Sequence, residues 1–187
     1  MTRALLLIDI QTGLDNPGWG ARNNPDAESN AARLIAHFRA AGGPVIHIRH
    51  ISTNPDSPLS PDAGGTGFKP EAMPGPGEAV FEKSVNSAFI GTGLEAHLRD
   101  AGIDSLVICG LTTPHCVSTT CRMAANLGFD VTLAHDACAA FADNADTGWR
   151  AGLPAMSADD VHAGAVSHLH GEFVNARATD DILTDPA

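Results

Sequence analysis

Ala4-Leu5-Leu6-Leu7-Ile8-Asp9 is the stretch that decides the fold. Five apolar residues in unbroken succession, stopped by a carboxylate, suit a strand covered on both faces, which is the pattern of a buried parallel strand. A parallel strand needs a crossover to its neighbour, and the next segments supply one. Gln11 to Asn24 is rich in Gly, Asn and Pro and reads as a loop. Pro25 to Ala41 carries Ala27, Ala31, Leu34, Ile35 and Phe38 at helical spacing and stops at Gly42-Gly43-Pro44. Val45 to Ile48 is a second apolar strand.

The alternation resumes beyond an unusual insert. Ile51 to Glu78 holds six of the chain's twelve prolines and five glycines, too long for an ordinary connection and suited to a lid or an oligomer contact. Thr92-Gly93-Leu94-Glu95 has capping-box spacing and starts a helix to about Asp100. Ser105 to Cys109 is a strand ending at Gly110. Thr113 is placed as an N-cap before Pro114, opening a helix to about Leu127. Phe129 to Ala134, Ser157 to His170 and Phe173 to Ala176 read as strand, helix and strand. The expected architecture is α/β in three layers, α/β/α, with a mostly parallel central sheet, doubly wound in the Rossmann manner, in one domain over residues 1–187.

Composition narrows the function. The 187 residues suit one domain, able to bury roughly 70% of its unfolded surface without staples. Eleven basic against 22 acidic residues give a net charge of −11, which argues against nucleic acid or an anionic membrane as partner. No apolar run approaches the ~20 residues of a membrane span, and Met1 to Ile8, followed by acidic Asp9, is too short to be expected to act as a signal peptide. A cytoplasmic location and reduced cysteines are the expectation. Cys109, Cys116, Cys121 and Cys138 contain no C-x-x-C pair, so they do not suggest a zinc site.

In open parallel sheets, sites lie beyond the carboxyl ends of the strands. Asp9, the His47–His50 stretch and the Gly110–Cys116 turn fall at such ends. Cys116 sits in the first turn of its helix, where free N–H groups favour an anion, so a lowered thiol pKa and a nucleophile are expected. By position alone, a small core residue is an equal alternative for Cys116. Asp9 could be a base or an N-cap, and Lys83 a solvated charge or a partner that stabilises both anions.

These residues carry a resemblance. Leu6-Leu7-Ile8-Asp9-Ile10-Gln11, Phe81-Glu82-Lys83-Ser84 with Ser87-Ala88-Phe89 and Gly91-Thr92, and Val107 to Thr120 with Cys116 stand in order along the chain. With Phe129-Asp130-Val131 and Asp136-Ala137, they make it similar to the isochorismatase-like cysteine hydrolases, in the branch of N-carbamoylsarcosine amidohydrolase and streptothricin hydrolase. The resemblance implies a triad of Asp9, Lys83 and Cys116 and a covalent intermediate on the thiol. It also implies a cis peptide at Leu111–Thr112 and an oxyanion hole from the N–H groups of Thr112 and Cys116. Members that cleave isochorismate commonly lack the cysteine, so Cys116 favours C–N hydrolysis of an amide, lactam or carbamoyl group.

The metal site of the nicotinamidase branch needs an Asp and a His where this chain has Arg49 and Ile51. No metal and no other cofactor are therefore expected, with His47 and His50 packed or hydrogen-bonded. The expected partners are a small-molecule amide-type substrate and, from the family, further copies of the chain in a homo-oligomer. Substrate contacts are assigned to Gln11, Trp19, Asn86, Phe89 and His115, with Asn16, the long loop and the Trp149 segment as further contributors. Gln11 could equally anchor a turn, and Thr120 and Asp136 suit packing and capping. Two other readings stand beside the hydrolase: a thiol redox sensor pairing Cys116 with Cys121, and a ligand-binding protein without turnover.

Overall fold

The computed structural model describes residues 2–187. Six strands form one sheet in the order β3-β2-β1-β4-β5-β6, and all five neighbouring pairs are parallel. They are β1 (Thr2–Ile8), β2 (Val45–His50), β3 (Ala79–Lys83), β4 (Ile103–Leu111), β5 (Asp130–Ala139) and β6 (Asn175–Arg177). The helices are α1 (Ala27–Ala41), α2 (Leu94–Asp100), α3 (Ser118–Asn126), α4 (Ala158–Ser167) and α5 (Thr179–Ile182). α1 and α5 pack on each other and on the sheet, while α2 and α3 lie against β4 and β5.

The apolar run of β1 is buried from Ala4 to Ile8 because it lies at the centre of the sheet, between β2 and β4. Gly110 sets how closely β1 and β4 approach at their carboxyl ends. It has φ +128°, and a Cβ there would lie 2.0 Å from the Ile8 carbonyl oxygen, a position no side chain can share. The β4–β5 register shifts between Ile108 and Gly110, so the end of β4 departs from regular pairing where the chain enters the Thr113–Val117 turn.

Several local expectations change on folding. The Thr92–Glu95 capping box does not form: Gly93 is the N-cap of α2, and the Thr92 hydroxyl accepts from the Leu94 N–H instead. Thr112, in extended backbone, precedes the turn rather than Thr113. The expected single helix divides into a π-type turn at Thr113–Val117 and then α3. β5 continues past Ala134 to Ala139, so Cys138 lies in a strand. β3 escapes the apolar-run criterion because it is an edge strand with alternating burial. The final strand falls at Asn175–Arg177 rather than Phe173–Ala176.

The long segment after β2 is tied down at both sides. Gln11 pairs with Phe68 in an isolated bridge. Lys69, buried with 5% exposure, binds Glu28 at 2.7 Å and also pairs with Asp15. Arg22 grips Glu28 through two bonds of 2.8 and 2.6 Å, so one carboxylate in the first turn of α1 joins three segments.

Burial would raise the Glu28 carboxyl. The bonds and charges of Arg22 and Lys69 outweigh it and bring the pKa from 4.5 down to about 2. A depressed folded pKa means stability that is present in full above 4.5 and lost as pH falls from 4.5 toward about 2. Glu28→Gln leaves Lys69 buried with less compensation. Denaturant titration at neutral pH should show a loss on the order of 3 kcal/mol, and the variant should have a flatter stability profile through that acid window.

Candidate active site

Each group of the site stands at the carboxyl end of a strand, for a local reason. Asp9 follows β1 directly and takes a left-handed φ of +50°, an uncommon state that turns the chain out of the sheet. His50 and Lys83 end β2 and β3 and are register partners. After β4 the Leu111–Thr112 peptide is cis, and the Thr113–Val117 turn brings Cys116 over the strand ends. The turn is pinned from behind, where Thr113 Oγ1 lies 2.9 Å from His162 Nδ1 within the protein.

The Lys83 ammonium is the meeting point. Its Nζ lies 2.6 Å from Asp9 Oδ2, 3.2 Å from Cys116 Sγ and 3.2 Å from His50 Nδ1. An ammonium has three hydrogens and no lone pair, so these contacts use its donors and require His50 Nδ1 to accept. His50 is therefore the Nε2–H tautomer, in keeping with its bond to the Val85 backbone. Burial, with Lys83 beside it, lowers His50 to about 4, which leaves the ring neutral at ordinary pH.

Burial also raises Asp9 above the usual 3.8, against the attraction and hydrogen bond of Lys83. Its Oδ1 has no hydrogen-bond partner in the protein among the described residues. The Cys116 thiol is pushed up to about 12, first by burial and then by the negative charge of Asp9, with Lys83 opposing. This corrects the expectation of a lowered thiol pKa. The thiol is protonated at rest and stands beside a carboxylate of raised basicity.

A cavity of ≈ 160 Å³ opens beside the thiol. Asp9, His50, Leu111, Thr112, His115 and Cys116 line it, together with Trp19, Asn86, Asn144 and, from the long segment, Ser57 and Leu59. Asn86 Oδ1 lies 3.9 Å from Cys116 Sγ. Trp19 bonds the Gly13 carbonyl at 2.9 Å and packs on Phe141.

Gln11 and Phe89 do not line the cavity. Gln11 is fully buried and holds both the N–H and C=O of His50 and the Thr66 carbonyl, which anchors β2 to the long segment. Phe89 stacks on Phe129. Trp149 is 76% exposed and stands outside the cavity lining. Thr120 accepts from the Ala88 N–H, and Asp136 accepts from the N–H and hydroxyl of Thr179 at the start of α5. Cys109, Cys121 and Cys138 are buried in the core.

Asp9, His50 and Cys116 offer ligand atoms within 4.8 Å of one another. Lys83 Nζ is bonded to all three at 2.6–3.2 Å, whereas zinc asks for about 2.0–2.3 Å. The set is spaced for an ammonium. Elsewhere along β2, His47 binds Glu78 at 2.8 Å, and Arg49 pairs with Glu82.

The family model "Isochorismatase domain" matches residues 3–163. The chain belongs to the isochorismatase family. It is 42% identical over 185 residues to the uncharacterized isochorismatase family protein YrdC of Bacillus subtilis, covering 98% of this chain and 95% of that one. An isochorismatase-family structure from Chromobacterium violaceum superposes with a TM-score of 0.90 at 48% identity, covering 98% of this chain and 92% of its own. A streptothricin hydrolase of Streptomyces noursei is 36% identical over 142 residues, 74% of this chain and 50% of that protein. Hydrolase chemistry on an isochorismatase-like α/β fold follows from this membership. Among the described residues, no helix is long and apolar enough to cross a membrane.

His50 is the site residue for which the sequence favours packing or hydrogen bonding. Its signal is the pairing of β2 with β3, which is hard to read because β3 is an edge strand with alternating burial. If His50 acts through Lys83, the acceptor at the Nδ1 position is what matters. Asn places an acceptor near that position, whereas Gln reproduces the Nε2 donor. Cys116 alkylation should slow roughly tenfold in His50→Gln and His50→Ala, but stay within about threefold of the parent in His50→Asn. Mass spectrometry of the labelled peptide measures this.

Proposed function

We propose that the chain is a cysteine amidohydrolase, cleaving a C–N bond of a small amide, lactam or carbamoyl compound through a covalent intermediate on Cys116. The observation that carries the reading is the Lys83 ammonium, 2.6 Å from a carboxylate and 3.2 Å from a thiol, where that carboxylate and thiol line a cavity. A structural ion pair needs no thiol and no open space beside it. The relative named streptothricin hydrolase supports the choice of hydrolytic chemistry.

The steps follow from the protonation states. A substrate carbonyl enters above Sγ. Asp9 accepts the thiol proton as Sγ attacks, an S–C bond forms, and the carbonyl oxygen gains charge. Lys83 faces both the carboxylate and the sulfur, so it can offset negative charge as that charge passes from one to the other. The N–H groups of Thr112 and Cys116 serve the oxyanion, where one such donor is commonly worth about 2.7–4 kcal/mol. Asp9 then gives its proton to the leaving nitrogen and the C–N bond breaks. Water enters, Asp9 takes its proton, the C–O bond forms and the S–C bond breaks, returning the proton to sulfur. Water has been consumed, and acid and amine have been released. The unpartnered Asp9 Oδ1 is suited to these transfers, since Oδ2 is held by Lys83.

Cys116→Ala should lower turnover of the amide substrate found in a screen by roughly 10³-fold or more with the circular dichroism spectrum unchanged. Comparable activity from that variant overturns the mechanism. Asp9 must be ionised to act, so turnover falls as pH drops through its pKa. Because burial raises that pKa, the acid limb should have its midpoint above 3.8, and Asp9→Asn should remove activity at every pH.

A further inference from the structure

We propose that His162 is a positioning residue for the proposed hydrolysis, aiming the Cys116 thiol and the Thr112 N–H by holding Thr113. The inference rests on the amidohydrolase reading and adds a group that acts on the site from behind. His162 comes from α4, is 9% exposed and lies outside the cavity lining, so it acts through another side chain.

Its ring bridges two segments. Nδ1 lies 2.9 Å from Thr113 Oγ1, and Nε2 lies 3.4 Å from Asn24 Nδ2. Asn24 fixes the direction of both bonds. Its amide nitrogen is 2.8 Å from the Cys138 carbonyl, which can only accept, so this is the NH2 end of the side chain. The second hydrogen of that group faces Nε2, which must accept it. The proton of the neutral ring is then on Nδ1 and is donated to the Thr113 hydroxyl. Burial, aided by His135 and opposed by Asp159, lowers the His162 pKa, in keeping with a neutral ring.

This chain of contacts has a rigid end and a working end. Cys138 is fully buried in β5. Thr113 is fully buried too, and it opens the turn that carries Cys116, directly after Thr112. The turn has little of its own to hold it there. Pro114 has no N–H, and the His115 N–H reaches back only to the Thr112 carbonyl, at 3.2 Å. A directional bond on Thr113 therefore sets the orientation of the residues on both sides of it. Filling the space behind the turn needs no polar ring, since an apolar side chain would do so without buried nitrogens to satisfy. Small misplacements of reacting groups cost rate steeply, which is what such a bond prevents.

The test reads all four cysteines at once. Iodoacetamide labelling of the full chain is followed by peptide mass spectrometry in the parent and in His162→Leu, His162→Asn, Thr113→Val and Asp9→Asn. Cys109, Cys121 and Cys138 are fully buried, so their labelling reports loosening of the fold. We expect Cys116 to label roughly tenfold more slowly in His162→Leu and in Thr113→Val, with the three buried thiols still protected. His162→Asn, which places a donor near the Nδ1 position, should return the Cys116 rate to within about threefold of the parent. His162→Leu and Thr113→Val together should slow it little more than either alone, because both break the same bond. Where His162→Leu alone exposes the buried thiols, Thr113→Val decides. The positioning role is overturned if both substitutions expose those thiols, or if Cys116 keeps its rate in Thr113→Val. The hydrolase reading survives that outcome as long as Asp9→Asn still slows Cys116 labelling. If Asp9→Asn leaves the rate unchanged, the hydrolase reading fails and the positioning role falls with it.

Discussion

The contact between the Lys83 ammonium and three acceptors is the constraint around which the strand ends are arranged. Asp9, His50 and Cys116 come from β1, β2 and the turn after β4, so one cation joins the carboxyl ends of separate strands. Burying an ion costs several kcal/mol even after relaxation, and good geometry on every donor is what offsets that cost. The offset is incomplete on the carboxylate side. Asp9 has a raised pKa, so its favourable contribution to folding belongs to pH below 3.8 and is lost as pH rises through its folded value. At neutral pH the ionised Asp9 carboxylate is therefore a cost to the fold, as expected where charge is held for chemistry rather than stability.

The topology explains why this point of the molecule can carry such a load. The sheet order places β1 between β2 and β4, so successive crossovers leave the centre in opposite directions. A crevice is then obligatory beyond the ends of β1 and β4. Gly110 allows the two backbones to meet below it, because any Cβ would overlap the Ile8 carbonyl. The left-handed backbone at Asp9 and the irregular end of β4 lie directly above that approach. The framework under them is the fully buried apolar run of β1, which is rigid by packing.

The framework is the part most legible from sequence. Ala4–Ile8 announces a central strand because nothing polar interrupts it, and α1 announces itself by helical spacing and a glycine stop. Asp9, Lys83 and Cys116 could be singled out because motifs surround them. His50 could not: a histidine after a short strand has no local pattern, and its role depends on register with β3, an edge strand with little apolar signal. Gln11 was open to two readings, and its bonds to His50 and Thr66 favour anchoring. The direction of the Cys116 shift runs against the local reading for a related reason. Helix-terminus arguments count local N–H groups, whereas burial and a carboxylate from another strand dominate here.

That reversal bears on how the proposed chemistry would run. A thiol held as an anion in the resting site would add a second negative charge beside Asp9 and would be open to oxidation. A thiol kept protonated, with a base of raised pKa beside it, leaves the resting cavity nearly neutral. Negative charge on sulfur and on the substrate oxygen then develops only during attack, when Lys83 and the backbone N–H groups are already in place. Fixed donors that need no reorganisation at that moment are worth most in a small, partly dry cavity. On this reading the protonated nucleophile is a consequence of one constraint. The site has a single ammonium to balance its charges, and that ammonium is already bound on three sides.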